Sequence, residues 1–393
     1  MTSAILGPCP PALKPMSFAF PPARPLGVAV VGTGFGQKVH IPGLQTYPHT
    51  QVVAVYHRDP AQAQAIATAH QIPQACSSVE AIVALPQVEA VSLSTPPFLH
   101  FEMAKTILNA GKHLLLEKPT CLTADEARVL HDLAQAQGVV AVMDFEYRFV
   151  PQWQHLAQLL HQGYVGQPYL ICVDWLMSSR LDPQRPWNWY AQRDQGGGAL
   201  GALASHSFDY LSWLFGPVQR LQAHLSTAIP QRPDPTTGSL KPVTADDTCL
   251  LNLELGHDRS QGVPCQMAIS SVSRQGRGHW LEVYGDRGTL ILGSSNQKDY
   301  VHGFQLQGAL GGDDLATLPT PPQFAFETTY GDGRLAPFMR VVDHWLRSIA
   351  QGRAESPNLR DGVYSQLLMD ISQRSHQTGS WVTVPSLEEF LRV

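Results

Sequence analysis

Residues 114–119 read Leu-Leu-Leu-Glu-Lys-Pro and set two charges, Glu117 and Lys118, at the end of a short apolar run. With Gly111 and Pro119 as flanks, the run reads as a buried parallel strand. In an open α/β sheet, ligands bind at the carboxyl end of such strands. A partly desolvated lysine there can steady a developing alkoxide or share its proton, because burial lowers an ammonium's pKa. A strand-end ion pair at the surface fits the same two residues. A second candidate lies further on, where Gly196-Gly197-Gly198 opens an apolar helix. On it His206 and Asp209 are three apart and share one face. A single histidine on an apolar helix also fits a satisfied core residue.

A third feature is the turn Gly32-Thr33-Gly34-Phe35-Gly36-Gln37, which follows an apolar strand and opens a helix. Glycines there let a backbone approach a pyrophosphate, which then sits on the free N–H groups of the helix. Gln37 stands where the strict G-x-G-x-x-G pattern has its third glycine, and a plain tight turn is the other reading. The next strand ends Tyr56-His57-Arg58-Asp59. Dinucleotide sites for NAD place a carboxylate here, and those for NADP an arginine facing the 2′-phosphate. Arg58, with His57 beside it, points to NADP(H) in preference to NAD(H), whereas Asp59 reads as the cap of the following helix. The loop Ser94-Thr95-Pro96-Pro97-Phe98-Leu99-His100 sits at another strand's carboxyl end. The glycine turn, this loop and Glu117-Lys118 therefore belong to one edge of one sheet.

The elements that must carry these residues follow from the pattern. Strands are expected at 27–31, 51–56, 90–94, 113–117 and 139–144, with helices near 60–70, 98–110 and 123–137. The last helix opens on the capping box Thr123-Ala124-Asp125-Glu126. Strands alternating with helices of this length predict βαβ units and a parallel sheet. After Tyr147 the rhythm changes to a helix at 151–161 and long strand-like runs at 168–178, 218–227, 246–255, 263–273 and 279–292. Gly285-Asp286-Arg287-Gly288 splits the last run into a hairpin. Long successive strands predict an antiparallel sheet. Residues 228–243 and much of 303–334 read as loop, and helices at 335–350 and 361–378 close the chain.

The 393 residues fit two domains better than one core. Hydrophobic residues make up 44% and charged residues 15%, as in a compact soluble chain. A net charge of -5 without a basic block argues against nucleic acid as a partner. Six scattered cysteines with no C-x-x-C pair fit a reducing cytoplasm and no structural metal site. No apolar run approaches the ~18 residues of a membrane span. The proline-rich segment 1–25 lacks the basic and apolar regions of a signal peptide and reads as a disordered or extended arm, or as a product of a misplaced start, since Met16 also fits an initiator. The expected division is this arm, a dinucleotide-binding domain at 26–147, and a domain at 148–393.

From Leu26 onward the chain resembles the Gfo/Idh/MocA family of oxidoreductases, named for glucose-fructose oxidoreductase and inositol dehydrogenase. The resemblance rests on GTGFGQKVH (32–40), STPPFLH (94–100), EKP (117–119), EYRFVP (146–151), GGGALGALASHSFD (196–209) and NLRDGVYSQLLMD (358–370). It implies an α/β fold: an N-terminal Rossmann domain, then a C-terminal α+β domain with a large, mostly antiparallel open sheet. That sheet often joins copies in relatives, which implies a homodimer or homotetramer. The resemblance also implies hydride transfer between NAD(P) and a carbinol or carbonyl carbon of a sugar, polyol or related small molecule. It makes Lys118 the catalytic lysine, in a Lys118-Pro119 peptide that is often cis in relatives. His206 is then the acid/base histidine, with Tyr147, Arg148, Trp187 and Trp189 as further substrate contacts. Trp187-Asn188-Trp189-Tyr190 resembles a sugar-stacking loop, although anchoring of a loop explains it almost as well. Relatives carry an aspartate four residues before the histidine, where this chain has Ala202. Ala204 and Glu146 also depart from the usual Gly and Asn. The missing carboxylate leaves room for a second reading, a weakly active or inert dinucleotide-binding sensor of the same fold.

Overall fold

The computed structural model describes residues 24–256, 262–297 and 301–392. The expected arm at 1–25 lies outside these residues except for Arg24 and Pro25. The chain divides into two compact units. One comprises the described residues of Met16–Phe149 together with Thr328–Gln366, the other Val150–Glu327 and Leu367–Val393 as far as described.

The first unit is built on six parallel strands: β1 (Leu26–Val31), β2 (Thr50–Tyr56), β3 (Gln74–Cys76), β4 (Ala90–Leu93), β5 (His113–Leu116) and β6 (Ala141–Met143). Their order is β3-β2-β1-β4-β5-β6, the doubly wound arrangement of dinucleotide-binding sheets. Central strands are covered on both faces, which explains why β1, β4 and β5 are apolar runs rather than alternating ones. The connecting helices are α1 (Ile41–Thr46), α2 (Pro60–Ala69), α3 (Val79–Val83), α4 (His100–Asn109) and α5 (Ala124–Ala136). Asp59 caps α2, accepting from the amides of Ala61 and Gln62. Thr123 and Glu126 form the full capping box of α5.

Thr328–Gln366 packs with this unit although it follows the second sheet in sequence. In the sequence reading, all of 148–393 formed a single domain. Within the segment, a helix at Leu335–Gln351 turns one apolar face inward, burying Phe338, Val341, Val342 and Trp345. Arg340 donates to the Phe149 carbonyl, and Tyr47 of the Rossmann part donates to Asp343 at 2.7 Å.

The second unit opens with α6 (Pro151–His161) and holds a nine-stranded sheet. Its strands are β7 (Pro168–Leu176), β8 (Val218–Ser226), β11 (Thr248–Leu255), β12 (Val263–Ser270), β13 (Gly278–Gly285), β14 (Gly288–Ser294), β15 (Gln305–Leu310), β16 (Ala316–Thr317) and β17 (Val382–Thr383). A separate hairpin pairs β9 (Gln231–Pro233) with β10 (Leu240–Pro242). The large sheet runs β16-β15-β14-β13-β7-β12-β11-β8-β17. All its pairings are antiparallel except β7 with β12. Alternating burial along β11 and β12 shows one face on the core. Helix α7 (Ser205–Phe215) carries His206; α8 is the Leu335–Gln351 helix, followed by α9 (Leu359–Thr378) and α10 (Leu387–Arg392). The unit boundary falls within α9.

Candidate active site

In the first unit, β1, β4 and β5 are neighbours and parallel, so their carboxyl ends lie side by side. Main-chain bonds continue the ladder past the strands: Ser94 donates to Val31 and Glu117 to Leu93. The glycine turn, the Ser94–His100 loop and Glu117-Lys118 therefore share one edge.

Two glycines of the turn are dictated by space. Gly32 has φ +116°, and a Cβ there would lie 2.5 Å from the Ser94 backbone. A Cβ on Gly36 would lie 2.3 Å from Ser94 Oγ. Gly34 is exposed and an added Cβ would meet nothing within 4 Å, so the turn is tight behind and open in front. Thr33 and Phe35 are half-buried, and the Arg334 guanidinium lies over the Phe35 ring. The turn enters a π-helical segment, Gly36–His40, before α1. π-turns concentrate at functional sites. Gln37 Nε2 approaches His70 Nε2 at 3.3 Å. A tight glycine turn that is open at Gly34 and leads into a helical segment fits a dinucleotide's pyrophosphate. At the end of β2, Arg58 is exposed and has no ion-pair partner among the described residues. His57 is turned back on its own chain, its Nδ1 accepting from the Asp59 amide at 3.0 Å.

His100 lies behind these loops rather than on their surface. It is fully buried, with Nε2 2.7 Å from the Thr95 carbonyl and Nδ1 2.9 Å from that of Pro119. Burial pushes its pKa down against those carbonyls. It ties the Ser94-Thr95-Pro96 loop to the turn after Lys118. The Lys118–Pro119 peptide is cis.

Glu117 also faces inward. Its Oε1 accepts from His40 Nε2 at 3.1 Å and its Oε2 from the Lys118 backbone amide at 3.1 Å. His40 Nε2 also lies 3.5 Å from Asp144 Oδ2, and its Nδ1 is 2.6 Å from Ser92 Oγ. The imidazole stacks on Phe338 with centroids 4.3 Å apart. Burial alone would lower the His40 pKa, but the Asp144 and Glu117 carboxylates raise it to about 9. Burial and the neighbouring Glu117 push the Asp144 carboxyl up to about 6. Glu117 ends below its ordinary value because His40 and Lys118 outweigh burial. Ligand-capable atoms of His40, Glu117 and Asp144 lie within 4.8 Å of one another. Here they bond to each other as a hydrogen-bonded cluster. The sequence reading did not single out His40, Ser92 or Asp144. For Ser92 and Asp144 the available signal was a polar residue inside or at the end of an apolar run; His40 lies in the helical segment Gly36–His40, with no such signal.

Arg148, expected at a substrate, is committed elsewhere. Its guanidinium is buried and donates to Ser356 at 2.8 Å and Asp361 at 2.9 Å. Burial raises the Asp361 carboxyl, and the Arg148 charge more than reverses this, leaving it below the usual range. Tyr147 is buried beside Arg148 in the short 3₁₀ turn 146–149.

In the second unit, His206 is buried one residue into α7, with its ring centroid 6.1 Å from that of Trp175. A π-helical segment, Leu200–Ala204, leads into α7 and includes Ala202. Gly197 and Gly198 are required by crowding. A Cβ on Gly197 would lie 2.3 Å from the Tyr190 carbonyl, and one on Gly198 2.6 Å from Asp246 Oδ1. Asp246 secures the start of this helical stretch, accepting from the Leu200 amide at 2.8 Å. Trp187 is anchored, its indole N–H donating to the Pro242 carbonyl at 2.9 Å and its ring lying under Lys241. Trp189 is half-buried and packs edge-on against Tyr190.

A doubly wound sheet with a glycine turn and a lysine at its carboxyl edge, followed by a long open sheet, defines a dinucleotide-binding oxidoreductase. The chain belongs to the Gfo/Idh/MocA oxidoreductase family: residues 26–145 match its NAD-binding Rossmann fold and residues 157–384 its C-terminal alpha/beta domain. It is 55% identical over 367 residues to an uncharacterized oxidoreductase of Synechocystis sp., covering 93% of this chain and 98% of that one. It is 26% identical to the levoglucosan dehydrogenase of Pseudarthrobacter phenanthrenivorans, covering 92% and 99% of the two chains. A structure of levoglucosan dehydrogenase in complex with NADH and levoglucosan superposes with a TM-score of 0.81 at 25% identity. That match covers 92% of this chain and 100% of that one. No helix among the described residues is long and apolar enough to cross a membrane.

Proposed function

We propose that the chain transfers hydride between a nicotinamide dinucleotide and a carbinol or carbonyl carbon of a sugar, polyol or related small molecule. The observation that carries this reading is the shared carboxyl edge of β1, β4 and β5, which bears the glycine turn, the Ser94–His100 loop and Lys118. Bound nicotinamide would supply the hydride acceptor or donor. Gly32–Gln37 would cradle the pyrophosphate, and Ser94, Thr95 and Pro96 would border it. Lys118 would hydrogen-bond the reacting oxygen and stabilise its negative charge. His206 would take or give the hydroxyl proton, a task suited to an imidazole at neutral pH. Trp189 and Tyr147 would be further substrate contacts, whereas Trp187 and Arg148 are each anchored within their own unit, Trp187 to the Pro242 carbonyl and Arg148 to Ser356 and Asp361.

The exposed Arg58 supports NADP(H) over NAD(H). The five described cysteines are free thiols, which supports a reducing, cytoplasmic setting. The open sheet, with Tyr169 and Leu250 exposed, supports a homodimer or homotetramer. Ala202 favours one second reading, a dinucleotide-binding sensor with little turnover. Incubation with NADP+ or NAD+ and a panel of aldoses and polyols, followed by absorbance of the reduced cofactor, separates the two. Tight cofactor binding with no turnover across the panel would favour the sensor.

A further inference from the structure

The chain leaves the first sheet at Lys118, and what fixes it there is a buried ionic cluster assembled from four strands' worth of sequence. Past β5 the Lys118 amide donates to the Glu117 carboxylate, at 3.1 Å. That carboxylate is itself clamped by His40, which is oriented from behind by Ser92 and flanked by Asp144. His40, Ser92 and Asp144 are all buried, and so is Glu117. Buried charges that survive in a core must be compensated, and breaking one partner leaves the others exposed to desolvation. Such a cluster is a costly way to end a strand, which the backbone alone could do.

We propose that His40 and Asp144 are positioning residues for Lys118. Through Glu117 they fix the backbone from which the lysine departs and set the charge beneath it. The inference rests on Lys118 being the group that meets the reacting oxygen. The titratable and charged groups facing the cluster are His40 after β1, Glu117 and Lys118 at β5, Asp144 at β6, and His100 on α4. Ser92 on β4 and Phe338 on α8 complete its walls. Of the two carboxyls, that of Asp144 is the one pushed up, to about 6, by burial and by the neighbouring Glu117. The cluster that holds the Lys118 amide therefore gains negative charge as the Asp144 carboxyl ionises.

The test needs no substrate. The full chain is reductively dimethylated with 13C-formaldehyde, which labels its seven lysines. The Lys118 resonance is assigned with Lys118→Arg and followed against pH. The expected result is an inflection near pH 6 in the wild type, abolished in Asp144→Asn, and a displaced resonance in His40→Gln. NADH affinity and melting temperature verify that each variant is folded. Should His40→Gln fail to fold, Ser92→Ala takes its place, since it removes only the hydroxyl that orients the ring. An inflection that persists in Asp144→Asn, or a resonance unmoved in folded His40→Gln or Ser92→Ala, overturns the inference. With a substrate from the panel, kcat falls about tenfold or more in Asp144→Asn while KM holds, as small misplacements of a catalytic group do. If the wild type turns over no panel compound, the catalytic reading fails by itself, and the resonance still decides the positioning of Lys118.

Discussion

Removing the Arg148 guanidinium distinguishes a structural ion pair from a substrate contact. The Arg148 side chain is 7% exposed and that of Asp361 22%, with a nitrogen–oxygen distance of 2.9 Å. Taking away one member of a buried pair costs ~3–5 kcal/mol, because the remaining charge loses its partner. Partial access of water to Asp361 places Arg148→Ala at the lower end, about 3 kcal/mol. For a unit of this size that is a fall of roughly 6–12 °C in melting temperature. The pH dependence has a defined sign. Asp361 is held below its ordinary pKa, so its contribution is present above the unfolded value of ~3.9 and is lost as the pH falls further. The gap between wild type and variant is therefore full at pH 7 and narrows on acidification. Calorimetry of the cofactor-free protein, with the Asp361→Asn single and double variants, reads the coupling directly. A variant that melts within a degree of wild type at neutral pH, or a double variant as unstable as the two losses added together, refutes the reasoning.

Other consequences follow from the same geometry. Gly32→Ala, which drives a methyl to 2.5 Å from the Ser94 backbone at a residue with φ +116°, abolishes NADH and NADPH binding measured by calorimetry. Arg58→Ala weakens NADPH about fivefold to tenfold and leaves NADH unaffected, as loss of one charged hydrogen bond at an exposed site requires. A clear wild-type preference for NADH in thermal shift sinks that assignment. His40 is raised to about 9, so its stabilising contribution is full below the unfolded value near 6.5 and disappears as the pH rises through 9. His40→Gln should therefore melt lower than wild type at pH 7 and approach it above pH 9.

The parts of this fold that could be read from sequence are those that local pattern dictates. β1, β4 and β5 are short apolar runs because both faces are covered, and α5 announces itself through its capping box. β3, only Gln74–Cys76 and largely unburied, has no such pattern and was not expected. The same is true of the β9–β10 hairpin inside what composition marked as loop. The π-turns before His40 and His206 leave no periodic trace. Long-range contacts account for the rest. The packing of 328–366 with the Rossmann strands depends on partners some three hundred residues earlier, such as Tyr47 with Asp343. Glu117 and Lys118 were visible as misplaced charges, but the histidine and aspartate that explain Glu117 arrive from separate strands. Arg148 could be noticed and not assigned, because Asp361 lies 213 residues away.

Lys118→Ala, compared with wild type for dinucleotide affinity and for turnover of an oxidisable sugar or polyol, bears most directly on the proposed chemistry. The proposal predicts unchanged NADPH or NADH binding with kcat reduced on the order of 100-fold or more, the usual scale for losing an oxyanion-stabilising donor. A variant that turns over substrate at the wild-type rate would contradict it.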